Sequence, residues 1–327
     1  MLTLLLGILL INAGCNLPFS VLPSMSSVPR QEIRAIETLP APTASPTLNF
    51  KPQRVTATKT PVPPLLPSPS SPPSPQFSDQ SLVLMLDDGA NWHVMVKEVE
   101  GEVLFEWHSD EMIHPASVVK IALGMLVFRL LEQQGGESWE SALDMGPAGA
   151  GRSYRQLLRA MLVYSEEEAT EILEQDVLAR VTSQEVQQIF SAWGAPSIQF
   201  RPRRASVRDL STLFECLYIR KCISTTASEQ MLEWLSEETA GDQGRLWSIK
   251  PFLSTGSRIY NKRGSMTIPL TVGDCGIIET PETSPLLICM IAQSQGEPNF
   301  DQLHLKTGEF VQQVWALWKD YREIRDE

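Results

Sequence analysis

Apolar and polar positions alternate over residues 92–99 and 102–108 on either side of Gly101, the two-residue period of a β-hairpin. The period then changes. Over 120–133 apolar residues recur at helical spacing, with no proline and Gly124 the one interior glycine, so a buried helix is expected. Residues 153–163 read as an amphipathic helix through Tyr154, Leu157, Leu158, Met161 and Leu162, ending at Tyr164-Ser165. Further helices are expected over 167–176, 183–193, 207–218 and 228–238. Three strand-like runs follow at 258–265, 271–278 and 286–293, and a long amphipathic helix over about 301–325 closes the chain. Two strands, a block of helices, three strands and a last helix predict an α+β fold. The early hairpin and the late strands build one five-stranded antiparallel sheet flanked by helices, with an all-helical subdomain inserted over about 123–250. No internal repeat is evident.

The first 77 residues stand apart from this pattern. Residues 2–11 form an apolar run broken only by Thr3 and Gly7, too short to span a bilayer, and the run ends at Asn12-Ala13-Gly14-Cys15. Such an end resembles a bacterial lipoprotein signal over 1–15, in which cleavage ahead of Cys15 leaves that cysteine lipidated. Asn12 stands where an aliphatic residue is usual and no basic residue precedes the run, so a plain secretory signal is the alternative. Between 38 and 76 lie 12 of the 24 prolines, with Ser and Thr filling much of the rest. This composition buries no core and predicts an extended tether over 16–77 ahead of a folded body at 78–327. The layout implies an exported protein held by a lipid anchor, on the outer face of the cytoplasmic membrane or in the periplasm.

Charge narrows the partners. The first 77 residues carry five basic and two acidic groups, so the body is more acidic than the whole chain's net −12. Nucleic acid is therefore excluded as a partner, because phosphate binding needs basic patches. The four histidines (His93, His108, His114, His304) show no metal-ligand spacing, and no phosphate-cradling loop or dinucleotide fingerprint is present, so neither metal nor cofactor is expected. Cys275 and Cys289 lie seven residues before and after a turn centred near Glu282, and so could face each other across a hairpin. A disulfide and a pair of buried thiols are the two readings.

The chemistry centres on Ser117-Val118-Val119-Lys120, the only Ser-x-x-Lys in the chain. On a helix, residues three apart share a face, so the lysine amine lies one turn above the serine hydroxyl. Ser117 is expected in the first turn, where free N–H groups favour developing negative charge. A serine needs a neighbouring base, and a lysine whose pKa is lowered by burial can serve. Taken alone, the tetrad reads more simply as an N-cap serine followed by a solvated lysine. Two further polar elements change the picture. Ser165-Glu166-Glu167 falls between two helices of the inserted block, and Lys262-Arg263-Gly264-Ser265 lies on a strand expected at the sheet edge.

In that order the three elements resemble Ser-x-x-Lys, Ser-Asp-Asn and Lys-Thr-Gly of the serine β-lactamase and penicillin-binding protein superfamily, closest to class A β-lactamases. The surroundings are similar too: Phe105-Glu106-Trp107-His108 and His114-Pro115-Ala116 before the serine, and Val207-Arg208-Asp209-Leu210 opening a later helix, over about 81–317. The resemblance implies that Ser117 forms an acyl-enzyme, that Lys120 takes its proton, and that Ser165, assisted by Lys262, protonates the leaving nitrogen. It implies an oxyanion hole from the N–H groups of Ser117 and Ser265, with Gly264 allowing close approach and position 167 facing the substrate amide. The implied substrate is a β-lactam or a related, peptidoglycan-like amide or ester.

Three departures bear on activity. Glu167 replaces an asparagine that donates to substrate, and an ionised carboxylate cannot donate. Arg263 replaces a small hydroxyl residue. Class A enzymes carry a deacylating glutamate on the loop before the helix that starts near Val207, yet residues 194–208 contain no Asp or Glu, and the loop looks short. Three readings follow: an acyl-serine hydrolase with slow deacylation, a penicillin-binding or D-Ala-D-Ala peptidase-like protein, and a catalytically idle binding module. A tight ion pair between Glu167 and Lys120 would favour the last.

Overall fold

The computed structural model describes residues 80–135, 139–237, 239, 245–295 and 298–326. The expected signal at 1–15, Cys15 and the tether at 16–77 lie outside the described residues. A short helix α1 (Gln80–Leu86) precedes the hairpin β1 (Asn91–Glu98) and β2 (Val103–Trp107), paired antiparallel with Val94 opposite Trp107 and Val96 opposite Phe105. The helical block follows: α2 (Lys120–Gly135), α3 (Trp139–Ala142), α4 (Tyr154–Val163), α5 (Glu167–Arg180) and α6 (Ser183–Ala192). A two-stranded hairpin, β3 (Gln199–Phe200) with β4 (Arg203–Arg204), leads into α7 (Val207–Tyr218) and α8 (Thr225–Leu235). A 3-10 segment (Arg245–Phe252) reaches β5 (Arg258–Thr267), β6 (Leu270–Glu279) and β7 (Leu286–Ser294), and α9 (Phe300–Asp326) ends the fold.

The sheet runs β2-β1-β7-β6-β5 with every neighbour antiparallel, the five-stranded α+β arrangement the pattern predicts. Because side chains alternate across a strand, each inner strand feeds two cores. Trp92, Val94, Ile288, Met290 and Ala292 face Phe310, Val311, Val314 and Trp318 of α9, while Met95, Cys275, Ile277, Leu287, Cys289 and Ile291 face the helical block. This explains why β6 and β7 read as nearly unbroken apolar runs: they are covered on both sides. Cys275 and Cys289 stand opposite each other with Cα atoms 3.9 Å apart and are joined by a disulfide. A second disulfide, Cys216–Cys222, closes the end of α7, which the spacing did not suggest.

Several boundaries differ from expectation for identifiable reasons. The helix expected over 228–238 starts at Thr225, because the Ser224 hydroxyl accepts from the Ala227 N–H at 3.2 Å. Helix α5 runs to Arg180, beyond the expected 176, and Arg180 there bridges Asp176 one turn back at 2.9 Å. The loop before α7 is not merely short; it carries the β3–β4 hairpin.

Helix α2 is the centre of the block. Phe128 is fully buried, edge-on to Trp139 of α3 at 5.9 Å and tilted against Trp234 of α8 at 6.0 Å. Phe128→Ala is expected to cost about 3–5 kcal/mol through lost burial and a residual cavity. Urea unfolding measures this, and a loss under about 1 kcal/mol would mean that the three helices do not rest on this side chain.

Candidate active site

Ser117 lies in a 3-10 turn (Ala116–Val119) just ahead of α2, rather than in the first α-turn. The chain enters that turn through Pro115 and through Ala116 at φ +48°, a left-handed conformation uncommon for alanine. His114 holds this bend: its Nδ1 accepts the Ala116 N–H at 3.1 Å. Burial, with Arg203 and Arg204 nearby, keeps the His114 pKa below the usual histidine value and the ring neutral. One turn on, Lys120 opens α2 and is completely buried.

A buried ammonium must be satisfied, and the α4–α5 connection does it. Helix α4 is fixed by a reciprocal cap between Ser153 and Gln156, and ends at Val163; Ser165 then adopts φ +60°, turning its carbonyl inward. Lys120 Nζ donates to that carbonyl at 2.7 Å and to Glu167 Oε1 at 2.6 Å. From the opposite side Lys262 of β5, 2% exposed, donates from Nζ to Ser165 Oγ at 2.8 Å. Ser165 is thus held by two lysines, one on its backbone and one on its hydroxyl.

Gly264 sets the distance between β5 and the nucleophile turn. A Cβ there would lie 2.8 Å from the Ser117 nitrogen and 2.9 Å from the Val118 nitrogen, so only glycine fits. Arg263 turns aside to donate to Thr239 Oγ1 at 2.5 Å. The loop that lacks a carboxylate supplies a cation instead. Arg203 Nη1 on β4 donates to Glu167 Oε2 at 3.1 Å, while Arg201 holds Glu174 at 2.5 Å. Glu167 therefore bridges Lys120 and Arg203, with its side chain still 55% exposed.

The electrostatics of the pair can be ordered. Burial lowers the Lys120 pKa, the Glu167 carboxylate works against this, and burial prevails. Burial pushes the Glu167 carboxyl upward but is outweighed by Lys120 and Arg203, so it stays ionised and below its usual value. A neutral Lys120 would give both its protons to Ser165 and Glu167 and keep a lone pair for Ser117. The arrangement thus permits base chemistry at the lysine, at a pH set by the carboxylate.

Ser117, Ser165, Glu167, Gly264 and Ser265 line one cavity of about 660 Å³, with the two lysines behind them. Residues separated by up to 148 positions in the chain meet there. Sequence reasoning missed the far wall: Arg245 and Trp247 from the 3-10 segment, Asp274 of β6, and Asp301 and His304 from the start of α9. No local motif marks these residues, because they reach the cavity only through sheet order and helix packing.

A family model described as "Beta-lactamase enzyme family" matches residues 80–306. Solved structures share the fold at low identity. The last common ancestor of Gram-negative bacteria β-lactamase class A superposes with a TM-score of 0.59 at 19% identity, covering 74% of this chain and 99% of that one. The TLA-1 extended spectrum β-lactamase gives 0.60 at 18%, covering 73% and 97%, and the TLA-3 extended-spectrum β-lactamase 0.59 at 17%, covering 73% and 97%. No curated protein matches the chain.

Glu167→Gln removes the charge that raises the Lys120 pKa, so the Lys120 midpoint is expected to fall. An NMR titration of carbon-labelled lysine side chains reads this directly, and an unmoved midpoint would show that the two groups are not coupled in solution. Gly264→Ala is expected to force β5 and the Ser117 turn apart and to lower the melting temperature; an unchanged melting temperature would mean the turn can retreat.

Proposed function

The chain belongs to the β-lactamase enzyme family, and on that premise we propose that it is an exported acyl-serine hydrolase that acylates readily and releases slowly. The observation that carries the reading is Ser165 poised between two buried lysines, on Lys120 through its carbonyl and on Lys262 through its hydroxyl. Ser117 Oγ attacks the carbonyl carbon of a β-lactam or related amide or ester as its proton passes to Lys120 Nζ. The oxyanion forms against the N–H groups of Ser117 and Ser265. Collapse breaks the C–N bond of an amide or the C–O bond of an ester; Ser165 Oγ gives its proton to the leaving nitrogen or oxygen and is resupplied by Lys262. An acyl-ester on Ser117 remains.

Release needs a water stripped of a proton. The loop over 194–208 carries no carboxylate and brings Arg203 onto Glu167 instead, and Glu167, held by two cations, is a weak base. Slow deacylation follows, which is also how a penicillin-binding protein behaves. The idle-module reading draws on the 2.6 Å Lys120–Glu167 pair. Against it stands the net lowering of the Lys120 pKa despite that pair. Export, with Cys15 lipidated and the tether spanning the gap from membrane to body, belongs to the same proposal; among the described residues no helix is long and apolar enough to cross a membrane.

Intact mass after incubation with benzylpenicillin, beside Ser117→Ala, separates the readings. A lasting adduct on the unaltered chain alone is the expected result. Penicillin consumed without an adduct would overturn slow release, and no reaction with penicillin or with simple esters would leave the idle module. Acylation should also accelerate as pH rises from neutral, because only unprotonated Lys120 is a base. The rising limb is expected below the ordinary lysine range, since burial lowers that pKa. A flat profile between pH 6 and 10 would exclude Lys120 as the base.

A further inference from the structure

Outside the catalytic cavity, three potential metal ligands converge where β1 and β2 meet. His93 of β1, His108 just after β2 and Glu111 present ligand atoms that all lie within 4.8 Å of one another. From this juxtaposition we infer a divalent-metal site of the His, His, carboxylate type, suited to zinc, on the segment that leads from the sheet to Ser117. The histidines are fifteen positions apart in the chain and meet only because β1 pairs with β2, which is why their spacing carries no motif.

Four observations support the site. His93 is buried, its side chain only 4% exposed, so its ring is held in place by the packing around it. Its Nδ1 lies 3.9 Å from Glu111 Oε2, and its N–H donates to the His108 carbonyl at 3.2 Å, a hydrogen bond that a metal would replace. His108 is held at φ +46°, a conformation costly for histidine, by a turn in which the Glu111 N–H donates to the His108 carbonyl at 3.2 Å. Nearby carboxylates are already engaged: Arg208 holds both Glu106 and Asp110 at 2.5 Å, whereas Glu111 faces His93. The same turn thus separates structural carboxylates from one left facing an imidazole.

The geometry needs modest closure. Zinc bonds of about 2.0–2.1 Å to nitrogen and oxygen place tetrahedral donor atoms about 3.3 Å apart. The two exposed ligands, His108 and Glu111, can close the remaining ~1.5 Å by side-chain rotation, while buried His93 stays fixed. Metal takes the lone pair of His93 Nδ1 once the ring proton moves to Nε2, so no net charge is left on the imidazole. Solvent completes the coordination. A metal there would tie β1 to the turn six residues before the nucleophile and stiffen the approach to Ala116.

The test is zinc added to the untagged protein, followed by melting temperature and by the visible spectrum of a cobalt-substituted sample. A rise of about 5 °C or more at a hundredfold excess over Kd is expected, with the absorption of tetrahedral cobalt. His108→Ala and Glu111→Gln, both exposed and so able to fold, should each abolish the rise and the cobalt signal. No rise in the unaltered protein, or a rise that survives either substitution, overturns the site.

Discussion

The completely buried charge-bearing amine of Lys120 is the constraint on which the rest of the site depends. An amine without water needs partners for its protons, and an unpaired buried charge costs several kcal/mol. The chain meets this with one left-handed residue, Ser165, whose carbonyl turns inward, and one carboxylate, Glu167. Those two contacts place the α4–α5 connection, and with it the Ser165 hydroxyl, against Lys262 on a strand nearly a hundred residues later. That serine is one point at which the helical block meets the sheet, beside the core they share.

The sheet supplies the opposing wall. Strand β5 approaches the nucleophile turn closely only because Gly264 has no side chain, and β5 is held in place by its pairing with β6, in which Lys262 opposes Cys275. The Cys275–Cys289 disulfide then links β6 to β7 at the same level. Behind this, α9 seals the far face with Phe310, Val314 and Trp318. Lys120 and Lys262 sit on regular elements, whereas Ser117 and Ser165 sit on short turns braced by them.

That hairpin is where this chain parts from the pattern it resembles. Arg203 engages Glu167, which is thereby held by two cations at the cavity wall. One substitution accounts for the other: a carboxylate at 167 between Lys120 and open solvent gains a second cation from the loop, and an arginine on the loop needs an anion beneath it. The two departures read as a matched change in how charge is distributed around Lys120.

Much of this was legible in residue order. Period-two runs at 92–108 and 258–293 and helical runs between them carried the five-stranded sheet and its insertion, because side-chain alternation and burial on both sides write themselves into local spacing. Ser117 and Lys120 stood out because their chemistry needs neighbours one helical turn apart, while Ser165 and Lys262 stood out through the family resemblance. What local order did not carry was every contact made between elements: Arg203 on Glu167, the far wall from Arg245 to His304, the Cys216–Cys222 bond, and the meeting of His93 with His108. Such contacts depend on which strands pair and how helices pack on them, and those choices are decided by the summed burial of the whole chain rather than by any segment of it.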